Sequence, residues 1–563
     1  MRSRPGVTNR HVIAIVLLSV FGSMSVWCGT LMAQGRYQTA RSTAGMVVTA
    51  HPLATWAGVH VLEQGGNAAD AAAAAAFAVA VVRPSMNSIG GRNQILIRNS
   101  DGRIYGIDGT TQVPTDYDSS KGVTASYGYA TIGVPGALAG LIRLYKEHGS
   151  LPLETVMAPA IEYAENGFRL LPGQAWFHTL AAKQIAESKG ARASYLKPDM
   201  TPYRAGDLLR QPVLAQTYRK IARGGADVFY RGEIAHAIAA DMAEHGGLVT
   251  LQSLANYRAE DARIVHGSYR GYDLVAMDVP ASGAIAVQSL QIMENFSRAE
   301  YTAEEWATIT AQAIALAIPD LRRLGPDTTA KRATSKEWAA SQAKKIRIGD
   351  SVGAHTGGSP SPRFFPPDDS GYTTHISVAD SAGMIVSLTQ TVGPIMGSKV
   401  ATPGLGFLYA VTLGGYLSGA TKPGTRARSG ITPVFVLRDG KVVLVLGAAG
   451  GLRIISSVVQ VASRVIDDGL SLPDALAAPR VHPSFDSTFA FDGIAMETLP
   501  SRGWTQDQVA VVKEMGFKVT STPRAGSFGR VQAIRFHSET GVWEGASDPG
   551  SEGTARGPGG QQP

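Results

Sequence analysis

The chain of 563 residues is long enough for one large unit or for two or three domains, and its 17% charged residues and 64 glycines indicate a close-packed globular protein. The formal net charge is +7, and the lysines and arginines are scattered without a basic stripe, which argues against nucleic-acid binding. The single cysteine, Cys28, lies in an N-terminal hydrophobic segment. The rest of the chain therefore has no thiol catalysis, disulfide or cysteine metal site.

Residues 1–35 have the plan of a secretory signal, because three arginines precede an apolar run that extends from residue 12 to 26 and weakly to 33. We expect export to the periplasm or the cell exterior. The alternative is an uncleaved membrane anchor, since residues 12–33 are just long enough to span a bilayer, with the arginines keeping the N-terminus inside.

The first elements after this leader are a strand and two helices. Residues 46–50 predict the strand, and Pro52 suits the first turn of the helix that follows. Asn67 is placed to cap the second helix, with Asp70 in its first turn. Residues 71–82 are almost wholly apolar, which predicts that this helix is buried in the core.

The middle and end of the chain give weaker patterns. Turn residues predict a hairpin at residues 94–107 and another at 432–447. Residues from about 130 to 325 read mainly as helices, and a further helix is expected from about Ile454 to Ile466. The tail from Ser547 is rich in Gly and Pro, so we expect it to fray.

Residues 372–392 predict a third hairpin, with one apolar and one polar face. Apolar and polar residues alternate on both sides of Ser381-Ala382-Gly383, where Gly383 supplies the left-handed position of a three-residue connection. Taken alone, these residues favour an ordinary surface hairpin in which Thr is simply a good strand former. The register sets three polar pairs opposite each other: Thr373 with Thr391, His375 with Thr389, and Ser377 with Ser387.

Eight separated stretches occur in one order between about residue 45 and residue 550. Together they resemble the γ-glutamyltransferase family of N-terminal-nucleophile hydrolases, which implies an α/β fold of the four-layer αββα sandwich type and no cofactor. The stretches are Ala50-His51-Pro52-Leu53-Ala54, Gly65-Gly66-Asn67-Ala68-Ala69-Asp70-Ala71-Ala72, Gly133-Val134-Pro135-Gly136, Thr373-Thr374-His375, Gly397-Ser398, Gly447-Ala448-Ala449-Gly450-Gly451-Leu452-Arg453-Ile454, Ala478-Pro479-Arg480 and Gly545-Ala546-Ser547-Asp548-Pro549.

The resemblance implies a precursor that cuts itself before Thr373, at the end of a Gly- and Pro-rich stretch. The products are a large subunit of residues 36–372 and a small subunit of residues 373–563. Thr373 is then the nucleophile, and its new α-amino group, with a reference pKa of about 7.7 to 8.0, is the base. Thr391 matches the supporting threonine, and Gly450 and Gly451 match the backbone pair that binds the developing oxyanion.

The resemblance fails where the family binds the substrate's glutamyl end. Thr110 stands where the family has an arginine for the α-carboxylate, and residues 410–416 contain no acid for the α-amino group. Gly393 replaces an asparagine, and only Ser429, followed by Gly430, remains of a serine pair. Removal of both charged clamps weakens recognition of a zwitterionic end.

Three residues are left as substrate-binding candidates, namely Ser429, Gly430 and Arg92. Arg92 is a candidate for a relocated cation, although an arginine that reaches solvent or pairs structurally is an equal alternative. The histidines are dispersed without ligand spacing, so no metal site is expected.

The sequence therefore predicts a self-processing amide hydrolase or acyltransferase that acts on a small-molecule amide. By resemblance the nominal substrates are γ-glutamyl amides such as glutathione, while the departures favour another acyl amide, as in a cephalosporin-acylase-like activity. The alternative is a secreted, non-catalytic binding protein that keeps the same fold.

Overall fold

The computed structural model describes residues 38–120, 122–323, 325–349, 372–414, 422–486, 488–523 and 527–559. The predicted leader and its alternative, a membrane anchor at residues 12–33, lie outside these residues, as does the Gly- and Pro-rich stretch before Tyr372. In the part of the chain that is described, no helix is both long and apolar enough to cross a membrane.

Strands and helices alternate irregularly along the described residues. The strands are β1 (Thr39–Ser42), β2 (Gly45–Thr49), β3 (Arg92–Arg98), β4 (Ile104–Gly109), β5 (Phe168–Arg169), β6 (Leu208–Leu209), β7 (Glu260–Asp261), β8 (Ile264–Tyr269), β9 (Tyr272–Met277), β10 (Tyr372–Asp380), β11 (Ile385–Gly393), β12 (Val434–Arg438), β13 (Lys441–Leu446), β14 (Ala448–Ala449), β15 (Val481–Phe485), β16 (Phe491–Glu497), β17 (Val519–Thr522), β18 (Arg530–His537), β19 (Val542–Ser547) and β20 (Thr554–Arg556).

The α-helices are α1 (Pro52–Glu63), α2 (Ala68–Val82), α3 (Ala137–His148), α4 (Leu153–Asn166), α5 (Pro172–Ile185), α6 (Lys189–Tyr195), α7 (Pro212–Tyr230), α8 (Glu233–Glu244), α9 (Leu251–Asn256), α10 (Gly283–Met293), α11 (Ala303–Arg323), α12 (Pro326–Ala333), α13 (Lys336–Ala343), α14 (Arg453–Ile466), α15 (Leu472–Ala477) and α16 (Gln506–Glu514).

Two large sheets carry the fold. The first has the strand order β1-β19-β18-β13-β12-β9-β8, with β14 beside β18, and the second has the order β20-β2-β10-β11-β3-β4-β7. Neighbouring strands in both sheets run antiparallel. Strands from both sides of residue 373 are interleaved in each sheet.

Apolar side chains on the two faces of each sheet build three layers of core. Met46 and Val48 of β2 pack with Phe435 and Ile534 of the other sheet, so the two sheets stack directly on each other. Val47, which lies between Met46 and Val48 in sequence, points the other way and packs among the residues of α2. On the outer face of the first sheet, Val434 and Val436 pack against α10 and α14. The arrangement is the predicted four-layer αββα sandwich.

Several local predictions are confirmed and one is wrong. Asn67 and Asp70 form a reciprocal capping box at the start of α2, which is buried along its whole length. The region from about residue 130 to 325 is mainly helical, as predicted, and residues 264–277 within it form the hairpin β8–β9. The tail does not fray after Ser547, because residues 554–556 form β20, which pairs with β2 at the edge of the second sheet.

The hairpin β10–β11 has the predicted register over most of its length. His375 pairs with Thr389 and Ser377 with Ser387, but a bulge between Tyr372 and Thr374 interrupts the ladder at Thr373. The surface-hairpin interpretation is wrong, because both strands are buried. The polar face meets the other sheet, where the Ser377 hydroxyl donates to the Gln532 carbonyl oxygen at 3.1 Å.

Candidate active site

The hydroxyl of Thr391 links three groups at the start of β10. Thr373 Oγ1 donates to Thr391 Oγ1 at 3.2 Å, and the N–H of Gly393 donates to the same oxygen at 3.0 Å. Thr391 Oγ1 in turn donates to the carbonyl oxygen of Tyr372 at 2.6 Å. A hydroxyl has one proton to donate and two lone pairs, so the Thr391 hydroxyl is fully used and its orientation is fixed.

The bulge explains why Thr373 reaches this hydroxyl without being its ladder partner. Tyr372 pairs with Gly393, one position further along β11 than a regular ladder would allow. Gly393 has a positive φ of 86°, a conformation that glycine adopts without strain, and this turn aims its N–H at Thr391. Thr373 itself is 5% exposed. The predicted pair is therefore in contact through side chains at an irregular point of the sheet.

Gly450 and Gly451 form the turn between β14 and α14. Their φ angles are 149° and 59°, both in the region that favours glycine. A Cβ on Gly450 would lie 2.7 Å from the Cα of Gly529, so side chains are excluded by space as well. Neither glycine N–H donates a hydrogen bond to another residue within the described ranges. Two N–H groups at the N-terminus of α14 are thus available to an anionic oxygen.

Ser429 and Gly430 lie directly against this turn. A Cβ on Gly430 would be 2.2 Å from the Gly451 carbonyl oxygen. The N–H of Ser429 donates to the Pro280 carbonyl at 2.9 Å, and the hydroxyl of Ser282 donates to the Ser429 carbonyl at 2.6 Å. The two candidates therefore have a rigid backbone that braces the glycine turn.

Arg92 occupies the neighbouring strand but points into a closed environment. It is the β3 partner of Thr391, and it is fully buried. Its guanidinium donates to the Val411 carbonyl at 3.1 Å and to the Thr111 hydroxyl at 3.4 Å. These contacts favour the structural alternative over the relocated-cation hypothesis.

Thr110, at the position of the missing arginine, lies in a hydrogen-bond network that includes a charged pair, because its N–H donates to Asp108 Oδ1 at 2.8 Å and Asp108 lies 3.5 Å from Arg426. The Thr110 hydroxyl accepts from Gln94 Nε2 at 2.6 Å, and the Thr110 carbonyl accepts from the Tyr257 hydroxyl at 2.6 Å. Thr412 is fully buried and its N–H donates to the Thr131 carbonyl at 2.8 Å. The segment of residues 410–416 that is described, up to residue 414, carries no acid.

His375 is a neutral structural residue. Burial lowers its pKa to about 3. Its ring nitrogens lie 2.8 Å from the Thr389 hydroxyl and 3.0 Å from the Ser377 hydroxyl, and Gly447 of the other sheet packs against the ring. No group of three or more His, Cys, Asp or Glu side chains is arranged to hold a metal ion in the described part of the chain.

Sequence reasoning missed a set of charged residues beside this centre. Arg530 begins β18 and pairs with Ala449, the residue before Gly450, and its Nη2 lies 3.9 Å from the Met86 sulfur. Arg83 and Glu552 lie nearby, since both Glu552 and Arg530 affect the pKa of Arg83. The sequence carries no signal for this set, because it is assembled by the β14–β18 pairing and by the loop after α2.

An αββα sandwich in which a threonine at the start of a central strand meets a second threonine and a glycine turn defines an N-terminal-nucleophile amide hydrolase or acyltransferase. The family described as Gamma-glutamyltranspeptidase matches residues 54–557. The chain belongs to this family, and it is an enzyme.

Two curated relatives and one solved structure show which proteins of the family this chain is similar to. The glutathione hydrolase proenzyme of Escherichia coli K12 is 32% identical, with 92% of this chain and 92% of that protein covered. The acylase ACY 1 proenzyme of Pseudomonas sp. strain SE83 is also 32% identical, over 92% of this chain and 94% of the relative. Cephalosporin acylase from Bacillus halodurans superposes with a TM-score of 0.82 at 28% identity, over 93% of this chain and 97% of that one. These relatives do not favour the non-catalytic alternative.

Proposed function

We propose that the chain cuts itself between Tyr372 and Thr373, and that Thr373 then forms an acyl-enzyme with an amide substrate. The observation that carries this proposal is the bond from Thr391 Oγ1 to the Tyr372 carbonyl oxygen, at 2.6 Å, beside the Thr373 hydroxyl. That bond polarises the one carbonyl whose attack would release an N-terminal threonine.

Self-cleavage needs no group from outside the chain except water. Thr373 Oγ1 attacks the Tyr372 carbonyl carbon, the bond from that carbon to the Thr373 nitrogen breaks, and the hydroxyl proton ends on the nitrogen. The chain is then joined through an ester, which water hydrolyses to leave a carboxylate on Tyr372 and a free Thr373. The large subunit is residues 36–372 and the small subunit is residues 373–563.

Turnover repeats the same chemistry on a substrate. The Thr373 α-amino group takes the hydroxyl proton, because its reference pKa of about 7.7 to 8.0 suits a base at neutral pH. Thr391 orients the nucleophile, and the Gly450 and Gly451 N–H groups stabilise the tetrahedral oxyanion. The amine leaves with the proton, and water or an acceptor amine releases the acyl group.

The substrate is proposed to be an acyl amide that lacks a zwitterionic glutamyl end. Thr110 stands where the family has the arginine that binds the α-carboxylate, and residues 410–414 carry no acid for the α-amino group. Among the relatives, the names glutathione hydrolase and acylase indicate that both kinds of amide occur in this family. We further propose that residues 1–35 direct export, so that the enzyme works in the periplasm or outside the cell.

Denaturing electrophoresis with N-terminal sequencing tests the cleavage. Wild-type protein should give two bands, the smaller beginning at Thr373. Thr373→Ala should give one uncut band and no amide hydrolysis, whereas Thr373→Ser keeps a hydroxyl and should still process. A single wild-type band, or a cut elsewhere, contradicts the proposal. Hydrolysis of γ-glutamyl-p-nitroanilide as fast as by the Escherichia coli relative would contradict the proposed change of substrate.

A further inference from the structure

The ring of Tyr372 lies against an aromatic pair on α5, formed by Trp176 and Phe177. The centroids of the Tyr372 and Phe177 rings are 5.5 Å apart, and the ring planes are nearly perpendicular, at 84°. Two aromatic rings attract each other in this edge-to-face arrangement. Phe177 is buried, and its ring also packs edge-on against Trp176, with centroids 4.9 Å apart. Tyr372 is therefore held at its carbonyl by Thr391 and at its ring by α5.

The position of Tyr372 indicates where the acyl part of a substrate binds. In the proposed self-cleavage, the acyl group that becomes attached to Thr373 Oγ1 is that of Tyr372. A substrate forms the same kind of ester on the same oxygen, so its acyl carbon takes the place of the Tyr372 carbonyl carbon. This exchange requires Tyr372 to leave its place after the cut. The acyl chain of the substrate then extends towards Phe177.

The part of α5 around Phe177 offers apolar surface without charge. Residues 172–182 contain no Asp, Glu, Lys or Arg. Burial lowers the pKa of His178 to about 4, so this ring is neutral at neutral pH. Trp176 and Leu180 lie four positions apart on one face of the helix and are 40% and 51% exposed. Apolar surface therefore continues along α5 beyond Phe177.

Charged residues lie at the N-terminus of the same helix. Glu552 Oε1 accepts from the Gly173 N–H at 2.6 Å. Burial lowers the pKa of Arg83, and the nearby Glu552 raises it. Gly173 precedes Phe177 by four residues, which is about 6 Å along the helix axis. These charges are thus one helical turn away from Phe177, whereas the Tyr372 ring is in direct contact with it.

We propose that Phe177 is a specificity-determining residue and that the preferred substrates are amides whose acyl group carries an aromatic ring. The acyl group of Tyr372 has two carbons between its carbonyl and its ring, and a 3-phenylpropionyl group has the same spacing. Its ring can pack edge-on against Phe177 and leave water for an apolar surface, and both effects strengthen binding. Neither effect needs the charged clamps that the family uses for a glutamyl end. This inference rests on the proposed role of Thr373 and names the acyl group for it.

Three p-nitroanilides test the inference, because they release the same amine from different acyl groups. The 3-phenylpropionyl compound carries the aromatic ring, the pentanoyl compound carries a flexible apolar chain, and the glutaryl compound carries a carboxylate. The wild-type enzyme should have its highest kcat/KM on the 3-phenylpropionyl compound. Phe177→Ala should lower that value by about 10- to 100-fold, mainly through KM, because the ring loses its aromatic partner and part of its burial. Its kcat/KM on the pentanoyl compound should stay near the wild-type value.

Phe296→Ala is the matched control. Phe296 also packs edge-on against a tyrosine, Tyr301, with centroids 6.0 Å apart, but it lies just after α10 on the outer side of the other sheet. This variant should leave the ratio of kcat/KM between the 3-phenylpropionyl and pentanoyl compounds unchanged. All assays use protein whose cleavage has been checked by electrophoresis.

Two further measurements apply if Phe177→Ala does not process. Phe177→Leu removes the ring but keeps a large apolar side chain, and it should lower the same ratio. Free 3-phenylpropionate should inhibit wild-type pentanoyl hydrolysis competitively, with an inhibition constant about tenfold or more below that of free pentanoate.

An equal loss on all three compounds in Phe177→Ala would overturn the inference. A higher wild-type kcat/KM on the pentanoyl or glutaryl compound, or equal inhibition by 3-phenylpropionate and pentanoate, would do the same. Thr373-dependent hydrolysis of the pentanoyl compound would still support the proposed function in those cases. If no compound is hydrolysed by any processed protein, the proposed function fails together with the inference.

Discussion

The hairpin β10–β11 has kept the family pattern better than the wall of the site has. The wall is the region formed by Thr110 and residues 410–414, where the family has its charged clamps. The hairpin keeps both threonines, and every group on the Thr391 hydroxyl has a partner within 3.2 Å. The wall lacks the family's arginine and acid, and Thr110, which replaces the arginine, is hydrogen-bonded to Gln94 and Asp108. The reaction needs a fixed geometry, whereas the acyl group can be exchanged by changing which charges surround it. Chemistry and specificity are separable in this fold.

The largest effect is expected from the hairpin itself. Thr391→Val keeps the shape of the side chain but removes the hydroxyl that holds Thr373, Gly393 and the Tyr372 carbonyl. We expect kcat to fall by about 10²- to 10³-fold, comparable to the loss of one oxyanion donor, and self-cleavage to slow. Thr391→Ser keeps the hydroxyl and should retain both the wild-type kcat and the wild-type rate of self-cleavage. Wild-type kcat in the valine variant, measured by p-nitroaniline release, would contradict the role given to Thr391.

Gly430→Ala tests whether the close packing of Gly430 against the Gly450-Gly451 turn is needed for a normal kcat. The new Cβ would lie 2.2 Å from the Gly451 carbonyl oxygen, so the turn has to move. A displacement on the order of 1 Å can lower a rate by about 100-fold, so we expect kcat to fall by about 10- to 100-fold with little change in KM. Gly325→Ala is the control, because a Cβ there meets nothing within 4 Å. Equal activity in both variants would show that the turn tolerates the shift.

Arg92→Met tests whether Arg92 stabilises the fold or binds the substrate. The substitution leaves the Val411 carbonyl without its guanidinium donor in a buried site, so the free energy of unfolding should fall by about 1 to 3 kcal/mol. Chemical denaturation measures this. The ratio of kcat/KM for glutaryl- and pentanoyl-p-nitroanilide should not change. A selective rise of KM for the glutaryl compound would instead restore Arg92 as the relocated cation.

The last prediction concerns pH and the stability of the fold, not the reaction rate. Burial lowers the pKa of His375 to about 3, below its ordinary value of 6.5, so the unfolded chain binds a proton that the folded chain excludes. The free energy of unfolding should fall as the pH drops from about 6.5 towards 3, by up to about 1.4 kcal/mol per pH unit from this residue. Burial also lowers the pKa of His51 to about 3, so this residue changes the free energy of unfolding in the same direction.

The contribution of His375 is isolated by comparing variants. His375→Gln should reduce the slope of unfolding free energy against pH between 6.5 and 4.5. His266→Gln, at an exposed position, should leave the slope unchanged. Identical slopes in wild type and His375→Gln would show that His375 is not held neutral by the fold.

Local rules predicted the parts of the fold that depend on neighbouring residues. The Asn67 cap needs only residues three positions apart, and the β10–β11 register is set by the turn at Gly383. The bulge at Thr373 was not predictable, because it depends on how Tyr372 pairs with Gly393. Because of the bulge, Thr373 and Thr391 are not ladder partners as predicted, although their hydroxyls are in contact.

Features that depend on distant residues were missed or misjudged. Nothing local distinguishes Arg92, enclosed beside Val411, from an arginine that lines a pocket. The strands of residues 264–277 are interrupted by a glycine, Gly267, and lie among helices, so their alternation was weak. Arg530 meets Met86 only because β14 and β18 pair, although 444 positions separate the two residues in the sequence.

The strand order β20-β2-β10-β11-β3 has a consequence for the processed protein. β2 and β3 precede the proposed cut while β20, β10 and β11 follow it, so each fragment supplies strands that lie between strands of the other. Cleavage would remove a covalent link without separating any pair of neighbours, and the two fragments should melt together in one transition. Refolding, by contrast, would change from a first-order process in the precursor to a second-order process in the cut enzyme. The precursor can therefore refold at any dilution, whereas the mature enzyme, once unfolded, depends on meeting its other half.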